Sequence, residues 1–415
     1  MAAIIALAAV PRKDDDSGDT PAVDGSSVPA PSRWRKWARR LAALSFGCVL
    51  GLIVLEVGVL LLAGEQVKFP RRVVEAPWKL RYNDPGGSYR HKSADGIWWF
   101  RINKQGMRED ENFTHAKPAG RLRVVSLGDS FTIGYEVDEP QCFSSVIERQ
   151  LQAEDLPVDV LNTGVSGFSN AEELAYLERE LLKYEPDLVI VSFFGNDLVD
   201  NLRTGLYRLE DGDLLEWGER YVPLGELANR LNSNPLFNFA STYSNAFVFV
   251  KERLNHIIKR QIVEENQRQI GAAKEDGETS DANSQPSENP KSEETSAEVE
   301  SQRRLAAAIF ERMYQLLQQR GIPLVIHSIP LQPDGPSGDL IDQFPLDYFD
   351  TDRPGILYVS SKDVLSPHVR GELLYWQRSH FHWTPFSHQV AGKEIARRIV
   401  ESHALAGSDP QAGAP

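Results

Sequence analysis

The longest apolar run of the chain lies near its beginning. Residues 41–64 are apolar or small apart from Ser45 and Glu56. A helix over this stretch measures about 36 Å at a rise of about 1.5 Å per residue, and the hydrocarbon of a bilayer is about 30 Å thick. The apolar core of a cleaved signal peptide has only about 7–15 residues. The pattern therefore predicts a single uncleaved transmembrane helix over 41–64.

Basic residues flank this predicted helix unequally. Five fall within 33–40, whereas three fall within 65–72. The bias predicts a single-pass membrane protein with a cytoplasmic N-terminus and an extracytoplasmic remainder, periplasmic or on the cell surface. Within the run, Glu56 is interpreted as a carboxyl toward the outer end of a tilted helix that is either protonated or paired with a partner, because an unpaired charge there is costly.

Beyond residue 120, short β-rich runs alternate with segments of helical periodicity. Strands are predicted at 123–127, 158–161, 187–194 and 323–329. Helices are predicted around 143–151, 174–181, 305–316 and 391–399. This alternation predicts a parallel sheet with helices on both faces, and the chemistry of such a sheet sits at the carboxyl ends of its strands.

Composition divides the chain into segments. Residues 1–40 are predicted to be a disordered cytoplasmic tail, 66–120 an irregular lead-in with short strands, 121–403 the α/β domain, 263–302 a disordered acidic insert within it, and 404–415 a flexible tail. The net charge is −14, and the insert alone carries eleven acids and three bases. An acidic chain argues against a nucleic-acid partner. Two cysteines, Cys48 and Cys142, exclude a disulfide scaffold and a zinc ribbon.

Residue types with catalytic chemistry follow the first three predicted strands. GDSFT at 128–132 places a serine at a strand-to-helix turn, where backbone N–H groups face a substrate. NTGVSG at 162–167 gives a backbone N–H room to approach a ligand, and GND at 195–197 offers a side-chain amide. HWTP at 382–385 precedes the last predicted helix. Each piece alone is a common turn, so the prediction rests on their order and placement.

These blocks resemble those of the SGNH (GDSL-type) hydrolase family, which is named for a Ser, a Gly, an Asn and a His. LGDSFT at 127–132 and NTGVSGFS at 162–169 match the family well, and NKQGMR at 103–108 resembles a lead-in of anchored bacterial members. The resemblance covers 100–202 strongly and 304–400 more loosely. It implies a flavodoxin-like three-layer α/β/α sandwich and the activities of esterases, lipases, deacetylases and some acyltransferases.

The resemblance also implies a role for individual residues. Ser130 is the expected nucleophile and His382 the expected general base. The backbone N–H groups of Ser130 and Gly167 and the side-chain amide of Asn196 are the expected oxyanion hole. Gly164 competes with Gly167 for the donor role, and the spacing favours Gly167. No cofactor or metal is expected.

The fourth block departs from the family pattern, in which an Asp two or three residues before the histidine holds its tautomer. Ser379 and His380 occupy those positions here. Three explanations stay open. A backbone carbonyl orients His382, a carboxylate from elsewhere such as Asp363 or Glu372 does so, or the site is degenerate.

The remaining candidate side chains are given structural interpretations. His388 is interpreted as a structural histidine near the start of the last helix. A metal cluster of His380, His382 and His388 is disfavoured, because no carboxylate or cysteine completes it. Cys142 is not expected to be a nucleophile, because Ser130 already occupies the site.

Three functions fit these observations. The ordered blocks favour an anchored serine esterase or deacetylase that acts on an O-acyl ester through an acyl-serine intermediate. The alternatives are a glycan O-acyltransferase and, because the acid is missing, a catalytically degenerate glycan-binding domain. The expected partners are an ester-bearing substrate such as an acylated glycan or lipid and a membrane through residues 41–64.

Overall fold

The computed structural model describes the chain from residue 33 to residue 406 with gaps. The described residues are 33–68, 73–222, 231, 234–254, 257, 296–333, 335–336, 338–378 and 381–406. The chain divides into two compact units, 1–55 and 56–415. The described ranges leave out most of the predicted tail 1–40, of the insert 263–302 and of the C-terminal tail 404–415.

The predicted membrane helix is present as a single long helix. Helix α1 (Arg33–Ala63) begins within the basic cluster, eight residues before the apolar run. Trp34–Ala63 contains a window with a mean hydropathy of 2.6, and none of that window is buried. By length and composition α1 is able to cross a membrane, which fits either an anchor or a signal sequence.

The lead-in contains two antiparallel hairpins. Strand β1 (Val73–Glu75) pairs with β2 (Arg81–Asn83), and β3 (Ser88–Lys92) pairs with β4 (Ile97–Arg101). The second hairpin buries Tyr89, Trp98 and Phe100 in one cluster with Ile133 and Tyr135. It therefore packs on the loop that follows the predicted nucleophile.

Five parallel strands form the central sheet. They are β5 (Leu122–Leu127), β6 (Val158–Asn162), β7 (Leu188–Phe193) and, after a hairpin of β8 (Tyr207–Glu210) and β9 (Asp213–Glu216), β10 (Leu324–Ser328) and β11 (Ile356–Ser360). Their spatial order is β11-β10-β7-β5-β6. This is the flavodoxin order, and the strand sequence reverses between β5 and β7, where such folds open a crevice for ligands.

Helices cover both faces of this sheet. After α1 the described helices are α2 (Phe143–Ala153), α3 (Asn170–Arg179), α4 (Asp197–Thr204), α5 (Pro235–Tyr243), α6 (245–254), α7 (Ser296–Gln318), α8 (Ser361–Leu365) and α9 (Pro385–Glu401). One buried core joins alternate residues of β5 and β7 to α3, α4 and α7, and a second joins the other residues to α2 and α9. The predicted three-layer α/β/α sandwich with a parallel sheet is confirmed.

Two of the differences between the structure and the sequence prediction have a physical reason. Strand β11, at the sheet edge, was not predicted: its sequence, ILYVS, is apolar and β-prone, but periodicity alone does not distinguish so short a run from a buried helix segment. Helix α7 begins at Ser296, inside the predicted disordered insert. Ala297, Glu298 and Glu300 are good helix formers, and Gln302 is already buried, so the helix extends back into the acidic segment.

Candidate active site

Ser130 lies in a sharp turn at the carboxyl end of β5. A Cβ atom on Gly128 would lie 1.9 Å from Thr132 Oγ1, so the turn needs glycine there. The Phe131 N–H donates to Asp129 Oδ1 at 2.9 Å, which fixes the backbone on both sides of Ser130. β5 is one of the two strands between which the strand sequence reverses. The turn therefore lies beside the crevice that this reversal leaves at the carboxyl ends of the strands.

His382 reaches Ser130 from the segment before α9. Its Nε2 lies 2.9 Å from Ser130 Oγ, which is hydrogen-bonding distance. The Trp376 N–H donates to the His382 carbonyl at 2.8 Å. The rings of Phe131 and Tyr135 lie 5.1 and 5.0 Å from the imidazole. The histidine is thereby held in place by its backbone and by two aromatic faces.

A buried carboxylate that the sequence analysis did not consider faces the other side of His382. Glu136 Oε2 lies 3.8 Å from His382 Nδ1, and the Glu136 side chain is fully buried. Glu136 Oε1 lies 3.1 Å from Nε2 of His91, a buried residue of β3. Burial lowers the pKa of His91, which favours the neutral imidazole, and the tautomer with its proton on Nε2 is the one that donates to the carboxylate. Ser130, His382, Glu136 and His91 thus form one continuous chain of polar contacts.

The loop that carries Glu136 is held by a buried arginine. Arg108 donates to the carbonyls of Ile133 at 2.6 Å and Val137 at 2.7 Å, and also to that of Gly134. Glu136 itself has φ 64°, a left-handed conformation that is strained for this residue type. The Trp376 indole N–H donates to the Glu136 carbonyl at 3.0 Å. Such a network fixes a strained residue in one orientation.

Glu136, rather than Asp363 or Glu372, is therefore the carboxylate beside Nδ1 of His382. Asp363 lies on α8 beyond the edge strand, and Glu372 is exposed in a turn. Ser379 and His380, which occupy the expected positions of the acid, lie outside the described residues. In the sequence, Glu136 is an acid between Tyr135 and Val137, four residues after the serine block, and this position alone does not indicate a role.

The predicted oxyanion donors lie on loops beside this turn. Neither the Ser130 N–H nor the Gly167 N–H donates to another residue in the described part of the chain. By contrast, the Gly164 N–H donates to Asn162 Oδ1 at 3.2 Å, so of these two glycines Gly167 is the one whose N–H is unused among the described residues. Asn196 is exposed at the start of α4, and its amide donates to Asp200 Oδ2 at 3.2 Å.

The two glycines are expected to respond differently to alanine. A Cβ on Gly164 would lie 2.3 Å from the Ile133 backbone nitrogen, which cannot move without the loop, so Gly164→Ala should destabilise the fold by about 3 kcal/mol or more. A Cβ on Gly167 would lie 3.6 Å from Arg81, so Gly167→Ala should cost about 1 kcal/mol through its positive φ alone. Thermal unfolding of both variants tests this, and an equal loss of stability would contradict it.

A group of buried carboxyls lies under the crevice. Burial raises the pKa of Asp129 to about 6. Burial together with neighbouring carboxyls raises the pKa values of Glu173 and Asp197 well above their ordinary values. Asp197 accepts a hydrogen bond from the Phe194 N–H at 2.9 Å, and Glu173 accepts one from the Asn170 amide at 2.9 Å. These contacts brace the loops after β6 and β7, so the carboxyls have a structural role.

Removing the Glu173 charge should stabilise the protein at alkaline pH. A folded-state pKa above the unfolded value means that the folded chain binds more protons, so this group's contribution to stability falls as the pH rises from about 4.5 towards the folded pKa. Glu173→Gln keeps the Asn170 contact and should raise the melting temperature more at pH 8 than at pH 5. Calorimetry at the two pH values tests this beside Glu178→Gln on the same helix. An equal shift at both pH values would contradict it.

Two other histidines near the crevice are structural. The Phe143 N–H donates to His388 Nδ1 at 3.2 Å, and His327 lies 3.1 Å from Ser192 Oγ and 2.8 Å from Ser361 Oγ. Burial lowers the pKa values of both histidines to about 3. Within the described residues no group of three or more His, Cys, Asp or Glu side chains is arranged to hold a metal ion. The disfavoured cluster of His380, His382 and His388 includes His380, which lies outside the described residues.

Part of the chain is similar to known proteins. The profile of the GDSL-like Lipase/Acylhydrolase family matches residues 126–390, which is more than half of the chain. An arylesterase from Vibrio mimicus is 31% identical over 75 residues, or 18% of this chain and 38% of that protein. The match thus spans well under half the length of the curated relative.

Solved structures with low sequence identity also align with the chain. A lipolytic protein of the G-D-S-L family from Desulfitobacterium hafniense is 12% identical, with a TM-score of 0.32 over 66% of this chain and 98% of that one. A family 3 carbohydrate esterase from Clostridium thermocellum is 10% identical, with a TM-score of 0.34 over 70% and 99%. An acetylxylan esterase from Geobacillus stearothermophilus is 12% identical, with a TM-score of 0.35 over 69% and 96%.

Proposed function

We propose, from the premise that the chain belongs to the GDSL-like Lipase/Acylhydrolase family, that it is a membrane-anchored, extracytoplasmic serine esterase or deacetylase that acts on an O-acyl ester. The observation that carries the proposal is the 2.9 Å contact between Ser130 Oγ and His382 Nε2. A nucleophile and its base at this distance, with the base backed by a buried carboxylate, are the parts that acyl transfer requires.

The reaction proceeds in two halves. Ser130 Oγ attacks the ester carbonyl carbon while its proton moves to His382 Nε2. The negative oxygen that forms accepts hydrogen bonds from the N–H groups of Ser130 and Gly167 and from the Asn196 amide, after that amide turns away from Asp200. The alcohol leaves with the proton from His382, and the acyl group stays on Ser130. Water then attacks the acyl-serine by the same steps and releases the acid.

Glu136 acts in this scheme as a positioning residue. His382 must present an unprotonated Nε2 to Ser130, and this requires its proton on Nδ1. The Glu136 carboxylate faces Nδ1 and favours that tautomer, and it stabilises the imidazolium that forms during attack. At 3.8 Å the contact is longer than a hydrogen bond, which is common for catalytic contacts before substrate binds.

The acyl-serine is tested by a burst experiment on the full-length protein. Mixing with p-nitrophenyl acetate should release nitrophenol in a rapid phase of one equivalent, and quenched samples should carry one acetyl group on the peptide that contains Ser130. His382→Ala should abolish the burst, while Ser166→Ala in the neighbouring loop should keep it. Steady turnover without an acetylated Ser130 would contradict the proposal. Turnover that occurs only with an added glycan hydroxyl would replace hydrolysis with acyl transfer.

A further inference from the structure

Two consecutive helices expose apolar side chains in regular stripes. Six large apolar side chains here are between 51% and 79% exposed: Leu236, Phe239 and Tyr243 on α5, Val250 and Leu254 on α6, and Ile257 beyond it. Within each stripe they recur at spacings of three and four residues, so each set lies along one helix face. In a soluble domain, the helix face that is exposed to water carries polar residues, and an apolar helix face is buried against the core. A grouped apolar surface therefore marks a contact with something outside the domain.

The junction between these helices is bound to the carboxylate of Glu56 on α1. Glu56 Oε1 accepts from the Asn245 N–H at 2.6 Å and from the Asn245 amide at 2.8 Å. Glu56 Oε2 accepts from Ser244 Oγ at 2.7 Å and from the Ala246 N–H at 3.0 Å. The carboxylate thus caps the N-terminus of α6, where its charge also meets the positive end of the helix dipole.

Further contacts fix both helices beside the outer end of α1. The Gln66 N–H donates to Asn245 Oδ1 at 3.0 Å, just beyond the end of α1. The rings of Phe237 and Phe247 lie 5.1 Å apart and join α5 to α6. Together with Glu56 these contacts place the α5–α6 junction along the last turns of α1 rather than beyond them.

The depth of this junction follows from the position of Glu56 in the helix. Glu56 precedes Gly64 by eight residues, which corresponds to about 12 Å along a helix axis. If the apolar run spans a bilayer about 30 Å thick, Glu56 and the junction lie within its outer half. A carboxylate there is costly unless it is paired, and the four donors supply that pairing.

We propose that α5 and α6 lie in the outer leaflet beside the anchor, with their apolar stripes against lipid acyl chains. The inference rests on the proposed membrane anchor, because Glu56 belongs to that helix. The depth of the junction selects lipid as the occupant, since side chains exposed at that level meet acyl chains first. The two helices and α1 then hold the α/β domain at the membrane surface by two elements instead of one.

Site-specific fluorescence on the full-length protein in lipid nanodiscs tests this placement. In a Cys48→Ala background, Cys142 stays unlabelled because it is buried and burial raises its thiol pKa to about 11. Single cysteines at Phe239 and Val250 report on the two stripes. Leu52→Cys marks the anchor, and Leu346→Cys marks an exposed apolar position in the α/β domain. Each variant carries a nitrobenzoxadiazole label.

The expected result is that lipids with doxyl groups on their acyl chains quench most of the emission at positions 239 and 250, as at position 52. Iodide in the water should quench position 346 alone. Quenching of 239 and 250 by iodide instead, or by neither agent, would overturn the inference, and the second outcome would assign the stripes to a protein partner. Loss of doxyl quenching at position 52 as well would show that the anchor itself is wrong.

The role of Glu56 gives an independent readout. Glu56→Gln removes the charge that caps α6, so doxyl quenching at positions 239 and 250 should fall and hydrogen exchange at residues 244–247 should become faster. Glu65→Gln, which removes a carboxylate that pairs with Lys92 after the helix, is the matched control and should change neither measurement. Retained ester turnover shows that both variants are folded. If doxyl quenching and hydrogen exchange are unchanged in Glu56→Gln, the inference that the Glu56 carboxylate holds the N-terminus of α6 is overturned.

Discussion

Ester turnover is expected to fall by at least about 10⁴-fold when Ser130 is replaced by alanine. The hydroxyl is the group that bonds to the acyl carbon in the proposed reaction, and its Oγ lies 2.9 Å from the base that takes its proton. A degenerate binding domain would not show this dependence. The measurement is kcat/KM for p-nitrophenyl acetate and butyrate with full-length protein in detergent.

The control for this prediction is Ser166→Ala, because Ser166 lies in the neighbouring loop of the crevice without a predicted catalytic role. It should keep turnover within a few-fold of the parent chain. Equal melting temperatures in the two variants would exclude a folding effect. Full turnover in a folded Ser130→Ala protein would contradict a mechanism in which Ser130 is the nucleophile.

Replacing Glu136 with glutamine is expected to lower kcat by between about 10²- and 10⁴-fold with little change in KM. The amide keeps the shape of the side chain but loses the negative charge, so it no longer favours the Nδ1–H tautomer of His382 or stabilises the imidazolium. The measurements are kcat and KM together with the pH dependence of kcat.

Asp363→Asn and Glu372→Gln are the matched controls, because both remove a carboxylate that the sequence also offered for this role. Neither should change kcat by more than a few-fold. Glu136→Asp should recover part of the lost activity, since it restores a charge that a merely structural contact would not need. Equal losses of kcat in all three neutral variants, or an unchanged pH profile in Glu136→Gln, would contradict a positioning role.

The fold could be predicted from the sequence where burial is extreme. Strands β5 and β7 are covered on both faces, and the β-rich run of β5 and the almost unbroken apolar run of β7 placed them within one residue of their observed bounds. Strand β11 was missed although its sequence, ILYVS, is an apolar and β-prone run, because periodicity alone does not distinguish so short a run from a buried helix segment. Its existence depends on pairing with β10, which is a contact between distant parts of the chain.

The candidate site also has a part that could be predicted from the sequence and a part that could not. Ser130 stands in a short motif at a strand end and His382 in a short motif before the last helix, and the family resemblance implied that the two meet. Glu136 could not be predicted, because its position depends on a left-handed residue and on the clamp by Arg108. His91, its other contact, comes from a hairpin that lies before the sheet in sequence. No local motif encodes contacts of this range.

For Glu56, the sequence argument rested on the free-energy cost of a charge within an apolar helix. The cost of a charged group in an apolar helix predicted that Glu56 is either protonated or paired with a partner. It could not predict that the partner is the N-terminus of a helix some 190 residues further along, as the contact with Ala246 shows. Glu56 and the N-terminus of α6 come together through tertiary packing, and sequence periodicity gives no information about such contacts.

The most direct test of the proposed mechanism is active-site labelling with a fluorophosphonate probe on the full-length protein. The account predicts one label per chain, located by peptide mass spectrometry on Ser130, and a labelling rate that falls strongly in Glu136→Gln and vanishes in Ser130→Ala. A folded protein that takes up no label, or takes it up equally in the Ser130→Ala variant, would contradict a serine esterase at this site.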